Sequence, residues 1–95
     1  MKSGLNNYNM KVKVWLITGC SKGFGRELAR LVADKGHRVI ATVRKEVEVN
    51  ALESLSVGKN IKGCVLDVTE EDAEKRIHTL IKEFFDGQID VLVNN

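Results

Sequence analysis

The chain has 95 residues, of which 43% are hydrophobic and 29% charged, with a formal net charge of +2. That length holds one small domain at most, and the composition lies far from the low-hydrophobicity, high-charge signature of disorder. So slight a basic excess, scattered along the sequence, marks neither a nucleic-acid nor a membrane surface.

Residues 1–10 are polar and rich in Asn, without periodicity, and are expected to form a flexible tail ahead of an organised unit over 11–95. The start lacks the apolar core of a secretion signal, and no apolar run approaches the roughly 18 residues that cross a bilayer. "VKVWLIT" (Val12–Thr18) is short, apolar and rich in β-branched and aromatic residues, which predicts a buried strand with Trp15 filling the core. From Gly23 to Lys35, Phe24, Leu28, Leu31 and Val32 recur at helical spacing, and Gly36 supplies a stop. His37–Lys45 carries a second strand, Glu46 to about Ser56 a short helix, and Ile61–Val68 a third strand. Thr69 with Asp72 resembles a capping box whose acids suit a helix start. Ala73, Ile77, Leu80, Ile81 and Phe84 then stripe a helix ending at Gly87, and Ile89–Asn94 gives a fourth strand.

Strict β-α-β-α-β-α-β alternation predicts an α/β fold of Rossmann type: a parallel sheet of order 3-2-1-4 with helices on both faces. The return past the first strand puts the third helix opposite the first two. Four strands in this order make an incomplete doubly wound sheet, whose open edge invites self-association or a homo-oligomer.

"ITGCSKGFGRELA" sets Gly19, Gly23 and Gly25 between the first strand and the first helix. Glycine permits a tight turn and close backbone approach, and a helix start aims free N–H groups and a positive dipole end outward, which suits a diphosphate. Beyond the second strand the sequence reads "ATVRK", without a carboxylate at Thr42, Val43 or Arg44. In dinucleotide folds an acid there holds a ribose 2′-hydroxyl, whereas a cation suits a 2′-phosphate. Arg44, with Lys22 in the glycine loop, therefore favours NADP(H) over NAD(H), against which stand Glu46 and Glu48 slightly later.

The spacing TGxxxGxG, Thr18 included, resembles the short-chain dehydrogenase/reductase family, and the likeness runs on through "CVLDV" and "VLVNN". It implies a cofactor-binding set of Thr18, Gly19, Ser21, Lys22, Gly23, Phe24, Gly25, Arg44, Asp67, Val68, Asn94 and Asn95. Asp67 takes the place of the family's adenine-binding aspartate, and the two asparagines begin its NNAG motif beside the cofactor. The implied chemistry is hydride transfer between a nicotinamide and a small-molecule carbonyl or alcohol, by a tyrosine of a YxxxK motif with a serine. Tyr8, the single tyrosine, precedes the glycine loop and has no lysine four residues on, so no catalytic residue is assigned in this chain.

Other reactive side chains read as structural. Cys20 and Cys64 lack CxxC or Cys/His spacing, so neither a metal site nor a disulfide is expected, and a reducing cytoplasmic setting is. Cys20, near a helix start, is either a reactive thiolate or a packed small hydrophobe. His37 and His78 are expected at the surface, and the "TEED" acids serve the helix start. The chain thus reads as the truncated, nucleotide-binding half of a reductase, with a non-enzymatic nucleotide-binding or assembly module as the other reading.

Overall fold

A computed structural model describes residues 11–56, 58–67, 71–84 and 88–95. Its strands β1 (Val14–Ile17), β2 (Arg38–Val43), β3 (Ile61–Val65) and β4 (Val91–Val93) alternate with helices α1 (Gly23–Asp34), α2 (Val47–Glu53) and α3 (Ala73–Phe84). The strands form one four-stranded sheet of order β3-β2-β1-β4, parallel throughout. The expected fold class and strand order both hold.

Alternation of side chains along each strand builds two cores. Ile17, Val39, Ala41, Val43 and Ile61 point to one face and pack with Ala29, Val32 and Ala33 of α1 and Leu52 of α2. Leu16, Ile40 and Cys64 point to the other, where Ile77 and Leu80 of α3 cover them. The central strands β1 and β2 bury residues on both faces because helices lie on both, whereas β3 leaves Lys62 exposed on the face of Cys64. The third helix does lie opposite the first two. Burial supports the sheet unevenly, since Leu92 on β4 shares the face of Leu16 yet is 61% exposed.

The strands are shorter than the hydrophobic runs that announce them. β1 pairs with β2 only from Val14↔Arg38 to Ile17↔Ala41, and Thr18, read as the strand's last residue, lies just past it and keeps a single N–H bond to Val93 of β4. β2 ends at Val43 and not Lys45, and β3 at Val65, with Leu66 and Asp67 outside it. α2 likewise stops at Glu53, short of Ser56. Of the expected features, the flexible tail at 1–10, Val57, Val68, Thr69, Glu70 and the stop at Gly87 lie outside the described residues.

His37 departs from its expected surface place. It is half-buried, its Nδ1 accepts the Lys13 N–H at 3.0 Å, and its ring lies 6.4 Å from that of Trp15. It thereby fastens the chain just before β1 to the start of β2. Trp15 does pack against the larger core, although its indole Nε1, buried, has no hydrogen-bond partner among the described residues. His78 is exposed beside Glu74 on α3.

Candidate functional site

In a parallel sheet all strands end on the same side, so the connections after β1, β2, β3 and β4 gather along one edge. Thr18 is the junction. Its N–H donates to the Val93 carbonyl at 3.0 Å, its hydroxyl donates to Asn94 Oδ1 at 3.2 Å, and the Thr18 Oγ1 itself accepts the Asn95 N–H at 3.0 Å. On the opposite side Thr42 holds the loop: its hydroxyl accepts the Gly19 N–H at 3.2 Å and its carbonyl the Cys20 N–H at 2.8 Å. Both threonines are almost wholly buried, so their hydroxyls are engaged inside the protein, with backbone N–H groups and, for Thr18, also the Asn94 side chain, as buried polar groups must be.

The three glycines serve three purposes. Gly19 and Gly23 have φ of +68° and +67°, the left-handed region that a Cβ penalises. A Cβ on Gly23 would meet nothing within 4 Å, so its surroundings are open to an incoming group. A Cβ on Gly25 would stand 2.4 Å from the Gly19 carbonyl oxygen and 2.7 Å from Asn95 Nδ2. Close packing inside the protein is therefore enough to require glycine at position 25. Asn95 completes that packing by donating its Nδ2 to the Gly19 carbonyl at 3.0 Å.

The start of α1 is left electrically open. Lys22, its N-cap, makes no side-chain capping bond, and its first turn carries no acid. The free N–H groups and positive dipole end thus face outward without an internal partner from a cap. Lys22 and Phe24 are exposed at the rim, Phe24 at 66%. A dinucleotide diphosphate fits this donor set: open space at Gly23, an uncapped helix start and a neighbouring lysine.

Arg44 is exposed directly after β2, and Asp67 is half-buried just beyond β3. Val68 lies outside the described residues. The fold therefore brings Thr18 to Gly25, Arg44, Asp67, Asn94 and Asn95 to one edge of the sheet. The Ser21 hydroxyl donates to Glu48 Oε1 at 3.0 Å, and the same oxygen accepts the Lys45 N–H at 3.1 Å. The sequence marks Glu48 only as an acid near Arg44; its reach into the glycine loop and the role of Thr42 depend on strand pairing.

Cys20 is the packed kind. It is 1% exposed, its thiol donates to the Ile17 carbonyl at 3.2 Å, and burial pushes its pKa up to about 11. A thiol so buried has little thiolate at neutral pH and is a poor nucleophile. Cys64, on the other face, is likewise raised to about 11 by burial. Glu71 and Asp72 are exposed, and no metal-holding group of His, Cys, Asp and Glu occurs among the described residues. No described helix is long and apolar enough to cross a membrane.

Comparison with known proteins converges on one family. The model of the short chain dehydrogenases matches residues 13–95. The 3-oxoacyl-[acyl-carrier-protein] reductase FabG of Vibrio harveyi is 40% identical over 88 residues, which is 92% of this chain and 35% of that protein. The NADPH-dependent pterin aldehyde reductase of Arabidopsis thaliana is 38% identical over 95 residues, 98% of this chain and 38% of its own length. Among solved structures, a metagenomic short-chain oxidoreductase in complex with NADP superposes with a TM-score of 0.77 at 32% identity, covering 87% of this chain and 38% of the other. The chain spans about a third of the length of these curated relatives. With the family model matched from ahead of β1 to the last residue, the chain belongs to the short-chain dehydrogenase family.

Proposed function

We propose that this chain is the nucleotide-binding part of an NADP(H)-dependent short-chain dehydrogenase/reductase. The observation that carries the reading is the edge where the open glycine loop, Lys22 and Arg44 meet with no carboxylate at Thr42, Val43 or Arg44. In it Gly19, Ser21, Gly23, Phe24 and the α1 start hold the diphosphate, Lys22 and Arg44 the 2′-phosphate, and Asp67 with Val68 the adenine. Thr18, Gly25, Asn94 and Asn95 shape the loop that does so. When bound, the cofactor supplies a hydride to a small-molecule carbonyl, or takes one from an alcohol, in the whole protein. Support comes also from an NADPH-dependent relative and an NADP-bound neighbour.

The same reading makes 11–95 the nucleotide-binding unit. The protein works in the cytoplasm, where its two unpaired cysteines suit a reducing medium, and self-associates through β4. It needs no nucleic acid, membrane or metal.

Calorimetric titration tests the cofactor assignment. Adenosine 2′,5′-bisphosphate should bind this chain about tenfold or more tightly than AMP, the scale of one charge-assisted bidentate contact. Arg44→Asp should abolish that preference. Equal affinities in the unmutated chain would overturn the assignment. In the same preparation no carbonyl reduction with NADPH is expected, since no YxxxK motif is present, and measurable turnover would refute that part.

A further inference from the structure

We infer that Glu48 is a specificity-determining residue, an internal anion that restrains the preference for a 2′-phosphate. The inference rests on the proposed NADP(H) site. Glu48 lies in the first turn of α2, and part of its behaviour is local: its N–H donates to the Lys45 carbonyl at 3.0 Å while Oε1 accepts the Lys45 N–H at 3.1 Å. Such reciprocal bonding settles the turn between β2 and α2. It leaves unexplained the third bond, in which Ser21, 27 residues earlier in the glycine loop, donates to the same oxygen at 3.0 Å.

Ser21 is the chain neighbour of Lys22, and Lys45 that of Arg44. One carboxylate is therefore bonded to both segments that carry the cations proposed for the 2′-phosphate. It takes two donors, a hydroxyl and a backbone amide, of the kind that serve phosphate oxygens. A 2′-phosphate arriving between Lys22 and Arg44 meets this negative charge and must displace it or bear the repulsion. A 2′-hydroxyl meets no such penalty and can donate to the carboxylate. Glu48 thus opposes Lys22 and Arg44, and the cofactor preference is their difference.

The experiment is calorimetric titration of the chain with adenosine 2′,5′-bisphosphate and with AMP, comparing unmutated protein with Glu48→Gln and Glu48→Ala. Gln keeps an oxygen to accept from Ser21 and Lys45 while losing the charge, so the loop stays in place. In both variants the ratio of affinities, bisphosphate over AMP, should rise about fivefold or more, as expected for removing one like charge at a partly exposed site. A ratio in Glu48→Gln within about twofold of the unmutated chain, or one that falls, would overturn the inference. Arg44→Asp, titrated in parallel, separates this result from the cofactor assignment. If Arg44→Asp abolishes the preference while Glu48→Gln leaves it alone, the Glu48 inference fails by itself. If Glu48→Gln raises the ratio while Arg44→Asp has no effect, Glu48 stands and the role given to Arg44 fails.

Discussion

Gly25 shows how one residue is held by a distant partner. Gly25→Ala would press a methyl against the Gly19 carbonyl oxygen at 2.4 Å and Asn95 Nδ2 at 2.7 Å, and backbone on one side cannot yield cheaply. The substitution should destabilise the chain by about 1–3 kcal/mol, as overpacking does. Gly23→Ala meets nothing within 4 Å and should cost only the left-handed backbone penalty of about 1–2 kcal/mol. Urea denaturation checks this, and a Gly25→Ala chain as stable as the unmutated one would show that Gly25 is not fixed by packing. The glycine segment was legible in the sequence as the β1–α1 connection, although Thr18, read as the strand's end, lies just past β1 and Gly23 and Gly25 already belong to α1. Why Gly25 is glycine was not legible, because only the folded turn brings the Gly19 carbonyl, and from 70 residues further on Asn95 Nδ2, against it. Glu48 and His37 escaped for the same cause: their partners, Ser21 and Lys13, are remote in sequence.

The elements differ in how firmly they are held. α1 buries Gly25, Ala29, Val32 and Ala33 against the sheet, whereas α3 rests on a core of Leu16, Ile40 and Cys64 through the half-buried Ile77 and Leu80. Arg30, with Glu27 and Asp34, adds ion pairs to α1, but these are exposed and screened, so packing decides the difference. Local opening free energies follow buried apolar contact. Amide hydrogen exchange should therefore release α3 at a lower free energy than β1, β2 and α1, and uniform protection across all three helices would contradict this. Order and sidedness of the elements were readable, since a period of 3.6 beside short apolar runs dictates a parallel sheet with two faces. Their ends were not, because an apolar run does not mark where the ladder stops: Thr18 and Leu66 each donate one last N–H to a neighbouring strand, to Val93 and to Val43, and lie outside their own strands.

At the scale of the whole molecule the two edges of the sheet are unequal. On the β3 side, Glu53 of α2 reaches over to accept the Gly63 N–H at 2.8 Å, and Lys62 stands 4.0 Å from the same carboxylate. A strand whose outer amide is already taken, flanked by charge, is a poor template for a second chain. Among the described residues β4 pairs only with β1; it is built of Val91, Leu92 and Val93 and leaves Leu92 61% exposed on the face that α3 shares. Exposed apolar surface beside an unpaired edge drives association between copies. Light scattering should find this chain associating as its concentration rises into the tens of micromolar, roughly the range of weak contacts. Leu92→Lys, which adds a charge to the exposed position without touching the core, should shift it towards monomer. If the unmutated chain stays monomeric throughout, the β4 edge is not adhesive. If Leu92→Lys associates as readily, contact is made elsewhere, and the charged β3 edge is the first place to look.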